Sequence, residues 1–430
     1  MTAELTLLVQ AIVILTVPVI VWRYFGLRHA VPLVCIQIVA GIALGPSGFG
    51  RIAPDLYELV FSPASLIPLS GIASIAVLLF GYITGLHLEP TAISRGGRAF
   101  AFVAGASVAV PTIAGFFGGL WLAAHNPAEL GEGVDPIGFA TAIGISIGVT
   151  ALPVLGAILR EMNLLGQRIG DLALGIAAVN DAVLWLLLGG LMAVLAGETS
   201  GQHGLIISLL GTPVYLIVMF RYVRPYLRRL APYLLRNGAM SERALAAVCA
   251  VALGSAIATQ LLGLHYVFGA FIAGALMPNE LRQLILDRLQ LVVIGILMPF
   301  FFMTTGLRTY IDLNSVGFLQ IMLVATGIAV CGKIGGTMLA ARLTGESWAD
   351  AFTLGALVQP TGLMALVVLT VLLDRGVISA NAFSALTLVA VITTLLAMPL
   401  ARLGLYFGER RQPAAAAAAA PMATSTTPQK

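Results

Sequence analysis

Apolar runs long enough to cross a bilayer follow one another along nearly the whole chain. A helix rises about 1.5 Å per residue, so roughly 20 apolar residues span the hydrocarbon core. Thirteen such runs lie at about 5–24, 31–48, 64–86, 98–123, 137–160, 172–196, 204–222, 243–262, 265–278, 290–306, 315–341, 351–373 and 379–401. The ninth is short, and twelve crossings result if it or the first does not span. The pattern predicts an all-α polytopic membrane protein. Only 10% of the residues are charged, against about 25% in a soluble domain. That excludes a soluble enzyme, a nucleic-acid binder and a disordered scaffold. Cys35, Cys249 and Cys331 sit inside apolar runs without paired spacing, so neither disulfides nor zinc are expected, and no cofactor is implied.

The first run has only Glu4 before it and no basic region, unlike a cleavable signal peptide. Residues 412–430 are rich in alanine, then in proline and threonine, and are expected to form a disordered cytoplasmic tail. No attached regulatory domain is expected in this chain. Of the 23 basic residues, nineteen fall in alternate connections that begin with Arg23 and Arg28 and end with Arg410, Arg411 and Lys430. The other connections hold only Arg51, Arg308 and Arg375, and Lys333 lies inside a run. The positive-inside rule then places the N-terminus outside and the C-terminus in the cytoplasm of a cell (plasma or inner) membrane.

Two charges stand at odds with this layout. Asp181 lies ten residues beyond Asp171, at the start of its run, and Lys333 lies nine residues before Arg342. Both are therefore about 14–15 Å deep, near the midplane. A charge there costs roughly 2.5–3.5 kcal/mol even on insertion scales. Such a pair reads either as a salt bridge between packed helices or as a proton or ion site.

Two runs carry mid-helix prolines beside polar groups, Thr150-Ala-Leu-Pro153 and Gln359-Pro360-Thr361-Gly362. An internal proline removes a hydrogen bond and clashes with the preceding turn, at about 3 kcal/mol. Thr150 is ten residues from Arg160 and Gln359 nine from Asp350, so both breaks share the depth of the charges. The two runs cross in opposite directions. This predicts inverted repeats with two crossed discontinuous helices around a midplane site. Asp181 and Asn180, with Thr150, are the candidate proton and cation ligands, a monovalent cation being held at Asp181 and Thr150. Pro153, Gln359, Pro360 and Thr361 form the crossing, and Lys333 offsets exposed helix ends.

These stretches resemble the monovalent cation:proton antiporters of the second cation/proton antiporter family, of the Na⁺/H⁺ or K⁺/H⁺ exchanger type. The similar segments are Gly41-Ile-Ala-Leu-Gly45-Pro46-Ser47, Gly148-Val-Thr150-Ala-Leu-Pro153, Ala178-Val-Asn180-Asp181-Ala-Val-Leu-Trp185, Phe268-Gly-Ala-Phe-Ile-Ala-Gly274 and Gly332-Lys333. The resemblance implies a thirteen-helix fold and a homodimer. Its transmembrane antiporter domain would cover 1–411, with core spans at about 98–196 and 315–401. Dimerisation spans would lie at about 5–86 and 243–306, and a linker span at about 204–222. The core would move past the dimer bundle, with Asp181 carrying either ion. Thr361 and Ala365 stand where many relatives carry arginine and glutamate, and His87 stands where an acid is common.

The expected function is secondary active exchange of Na⁺ or K⁺ for H⁺, electroneutral because one carboxylate is loaded. The alternatives are a cation channel or leak, or a sodium-coupled organic-anion symporter on a related fold. An enzyme is not expected, since no catalytic set lies within the runs. Na⁺ or K⁺, H⁺ and the lipid bilayer are the expected partners, and no nucleic acid is expected.

Overall fold

The computed structural model describes residues 2–27, 31–87, 97–236 and 239–418. Among these, nine helices are long and apolar enough to cross a bilayer. Three shorter apolar helices join them at Pro136–Gly148, Tyr266–Ala275 and Met364–Asp374. The chain opens with α1 (Ala3–Tyr24) and α2 (Leu33–Leu44), followed by the short α3 (Phe49–Ile52) and α4 (Pro54–Phe61), then α5 (Pro63–His87). Next come α6 (Gly97–His125), α7 (Pro136–Gly148), α8 (Leu152–Glu161) and α9 (Arg168–Val218). A π turn at Met219–Val223 joins α9 to α10 (Arg224–Leu234). Leu235–Arg236 pairs with Ala239–Met240 in a minimal antiparallel ladder. The chain continues through α11 (Glu242–Leu261), α12 (Tyr266–Ala275) and α13 (Asn279–Val292), and a second π turn leads into α14 (Met298–Arg308). The last helices are α15 (Val316–Leu343), α16 (Trp348–Leu357), α17 (Gly362–Asp374) and α18 (Ala380–Ala418).

Both broken spans begin on side-chain caps. Asp135 Oδ1 accepts from the Gly138 N–H at 2.7 Å, and Ser347 Oγ accepts from the Asp350 N–H at 3.1 Å. Each cap satisfies a donor that the first helical turn leaves open. The sequence α6, α7–α8, α9 is repeated with inverted direction in α15, α16–α17, α18. Small residues bring the helices of the first repeat together. A Cβ on Gly119 would lie 2.6 Å from Ala140 Cα, and one on Gly115 would lie 2.9 Å from Gly144 Cα. Close backbone approach of this kind substitutes for a hydrophobic driving force in lipid. Helices α6, α7, α15, α16 and α18 pack on one another, while α5 packs on α12 and α14, and α2 on α14.

The expected sixth span, 172–196, and residues 204–218 of the seventh lie in the one long helix α9, and the seventh ends in the π turn that follows it. No proline interrupts the polar stretch Glu198-Thr-Ser-Gly-Gln-His203, and its backbone hydrogen bonds are made by simple continuation. At the far end, α18 runs through the first alanines to Ala418. Residues 419–430 of the expected tail lie outside the described residues.

Candidate functional site

The site begins where helix stops. After Gly148 the chain is extended at Val149 (ψ 142°) and Ala151 (ψ 98°), and helix resumes at Leu152 with Pro153 in its first turn. A proline there costs little, because first-turn N–H groups have no intrahelical acceptor. On the other repeat, α16 ends at Leu357 and α17 starts at Gly362. The two interruptions meet. The Ala151 N–H donates to Pro360 O at 2.8 Å, and Thr150 Oγ1 donates to Val358 O at 2.9 Å. Each interruption thus supplies what the other lost, which is the condition for non-helical backbone at membrane depth. Gly362 has φ +36°, and a Cβ there would lie 2.9 Å from Val154 Cγ2.

Asn180 and Thr150 are bound to each other. The Asn180 amide donates to Thr150 Oγ1 at 3.0 Å, and its Oδ1 accepts from Ser107 Oγ at 3.0 Å. Asn180 is 1% exposed and Thr150 0%. These bonds hold α9 against α6 and the crossing. Asp181 is different. It is 2% exposed, and neither carboxylate oxygen has a hydrogen-bond partner among the described residues. It borders a space too narrow for a water molecule, lined by Leu152 and Ala178 on its own side and by Thr84, His87 and Phe271 of α5 and α12. Asp181 therefore sits at the seam between the repeat helices and the packed group around α5.

Lys333 is fully buried, and its Nζ donates to Val149 O at the end of α7. It holds the negative end of a half-helix. Of the two sequence readings, a close salt bridge between helices is not seen: among the described residues no hydrogen bond or ion-pair contact joins Lys333 to Asp181. Thr361 Oγ1 shares a hydrogen bond with Thr393 at 2.8 Å, and Thr394 Oγ1 accepts from the Gly362 N–H at 3.1 Å. Gln359 is fully buried, and neither of its side-chain polar atoms is bonded among the described residues.

Several of these partners were missed in the sequence. Ser107, Thr393 and Thr394 are ordinary small polar residues in apolar runs, and only the fold brings them to the crossing. Glu129, expected in a loop, is 7% exposed and accepts from Ser379 Oγ and Asn381 Nδ2, each at 2.5 Å. On the opposite, arginine-rich face, Arg168 Nη1 donates to Glu346 Oε1 at 2.8 Å. In each case an acid from the first loop of one repeat grips the start of the third span of the other.

The seam is also bridged on the arginine-poor face. Arg308 of α14 approaches Asp374 of α17 at 3.4 Å, and Arg375 donates to Leu264 O at 3.2 Å. A gap of about 50 Å³ beside them is lined by Ser70, Thr304, Thr370 and Asp374, among others.

Broken helices that cross beside a buried carboxylate without a hydrogen-bond partner among the described residues form the architecture of inverted-repeat secondary transporters. The comparisons narrow this. The chain belongs to the sodium/hydrogen exchanger transmembrane family, whose model matches residues 11–402. It is 32% identical to Cation/H⁺ antiporter 19 of Arabidopsis thaliana, over 93% of this chain and 50% of that protein. It is 31% identical to K⁺/H⁺ antiporter 1 of Saccharomyces cerevisiae, over 94% of this chain and 47% of that one. It is also 31% identical to the Na⁺/H⁺ antiporter NhaS4 of Synechocystis sp., over 92% and 96%. The chain thus spans about half the length of the plant and yeast relatives. The structure of the sodium proton antiporter MjNhaP1 from Methanocaldococcus jannaschii has the same fold, with a TM-score of 0.56 and 12% identity over 94% of this chain and 99% of that one.

Proposed function

We propose that this protein exchanges Na⁺ or K⁺ for H⁺ by alternating access, with Asp181 as the shared proton and cation carrier. It would be a carrier and not an enzyme. The observation that carries this reading is the Asp181 carboxylate, buried at the seam with both oxygens unpartnered. A buried carboxylate needs a countercharge or a proton. Both transported ions meet that need, one at a time. The names of the relatives, which include cation, K⁺ and Na⁺ exchange, support the ion class.

In this reading the repeat helices form a core that moves against a dimerisation bundle around α5, α12 and α14. The protein works as a homodimer in a cell membrane, with its arginine-rich face in the cytoplasm. Asn180 and Thr150, hydrogen-bonded to each other, join Asp181 as the ligands of the cation, and Lys333 keeps the crossing intact without carrying the proton. One carboxylate holds one proton or one monovalent cation, so the core is equally charged on both journeys and exchange is electroneutral.

The test is proton flux in proteoliposomes under imposed Li⁺, Na⁺, K⁺ and Rb⁺ gradients, with wild type beside Asp181→Asn. Wild type is expected to couple proton movement to at least one cation, and the variant to insert and melt normally yet move none. Full cation-dependent flux in the variant would sink the assignment of Asp181. Electrometry on the same preparation is expected to record no steady transport current. Moving one charge through 100 mV is worth about 2.3 kcal/mol, so a current that scales with flux and vanishes in Asp181→Asn would reject electroneutrality.

A further inference from the structure

Residues 219–236, where α9 gives way to α10, hold five arginines, at 221, 224, 228, 229 and 236, and no acid; the next carboxylate is Glu242. Among the described residues none of Arg221, Arg224, Arg228 and Arg229 has an ion-pair partner. Leu227 and Ala231 are buried on one side of α10, while Arg228 and Arg229 are exposed on the other. Between the π turn, α10 and α11 lies an open groove of about 540 Å³. Its wall on α11 is apolar, with Ala247, Val248 and Val251; Arg221, Arg229 and the two tyrosines at 222 and 226 also line it. Tyr222 is 66% exposed and Tyr226 63%. Tyrosines of this kind mark the level of lipid headgroups.

We propose that this groove binds an anionic glycerophospholipid, with Arg221 and Arg229 meeting the phosphate and an acyl chain lying against Val248 and Val251. Guanidinium groups match phosphate oxygens in charge and shape. The volume lies within the roughly 300–1,000 Å³ of sites for small ligands. A second copy of this chain does not fit, because a two-fold contact here would set the same unpaired arginines against one another. Residues 88–96 hold one acid, Glu89, beside one arginine, and residues 419–430 hold no acidic side chain. The anionic leaflet supplies the missing charge. The proposal rests on the cytoplasmic orientation of the arginine-rich face, but its test needs no ion gradient, so its failure is separate from failure of exchange.

The experiment is thermal melting of the purified full chain in neutral detergent. Dioleoylphosphatidylglycerol, dioleoylphosphatidylcholine or inorganic phosphate is added in separate arms. Phosphatidylglycerol is expected to raise the melting temperature to a plateau, and phosphatidylcholine and phosphate to leave it unchanged. The rise is expected to disappear in R221Q/R229Q and to persist in R98Q/R288Q, which removes two exposed arginines elsewhere on the chain. Ala247→Trp fills the groove without altering charge and is expected to abolish the rise as well, so the test survives if the arginine variant does not fold. Equal shifts with both lipids would overturn the proposal, as would an equal shift with phosphate alone. So would loss of the rise in both arginine pairs, or its persistence in the folded groove variants.

Discussion

Thr150→Val tests the crossing at its narrowest point. The substitution keeps the branched shape and removes one hydroxyl. That hydroxyl donates to Val358 O and accepts from the Asn180 amide. Thr150 is 0% exposed, Val358 0% and Asn180 1%, so no water replaces the lost partner. Val358 is the residue after the last turn of α16, where carbonyls lack intrahelical donors. Interhelical hydrogen bonds in membranes average only about 0.6 kcal/mol when both partners can find others. Here neither can, and each orphaned group costs about 1–3 kcal/mol. Two orphans give about 2–6 kcal/mol, which at roughly 2 °C per kcal/mol lowers the melting temperature by about 4–12 °C. Thr150→Ser restores the hydroxyl and should recover most of the loss. The assay is thermal melting of purified wild type and both variants in one detergent, with proton flux measured in parallel. If Thr150→Val melts with the wild type, or Thr150→Ser melts as low as the valine variant, the hydroxyl does not hold the crossing and the reasoning fails.

Two further outcomes follow from the same geometry. Lys333→Gln withdraws the charged donor from Val149 O, so the melting temperature should fall while the ratio of protons to cations moved in proteoliposomes stays at the wild-type value; unchanged stability with lost coupling would make Lys333 the proton carrier. Asp374→Asn weakens a half-exposed bridge to Arg308 worth under about 1 kcal/mol, so stability should hardly change. Because that bridge crosses the seam, the balance between the two access states should shift by up to about fivefold. Thiol labelling of Thr370→Cys with a membrane-impermeant reagent reads this shift, and an unchanged labelling rate would show that the bridge biases nothing.

Run length, charge placement and the two proline breaks were enough to read the helical membrane class and the midplane crossing, because those features obey local rules. Twenty apolar residues span a bilayer wherever they occur, and helical rise alone puts Asp181, Lys333, Thr150 and Gln359 at one depth. Proline by itself decided less: Pro18, Pro68 and Pro111 lie inside unbroken helices. The chain breaks where another segment takes up the freed backbone groups. That partner lies 208 residues away for the Thr150 hydroxyl, and Ser107 reaches Asn180 across 73. No periodicity encodes such pairings. Only packing decided that Asn180 and Thr150 bind each other while Asp181 is left bare, that Lys333 caps a half-helix without pairing to Asp181, and that Glu129 and Glu346 clamp the two repeats at opposite faces. The sequence by itself determined how deep each polar group lies, since depth is set by counting along a single helix. Which polar groups satisfy one another was decided by the tertiary structure, since a hydrogen bond in a dry interior depends on which helices meet there.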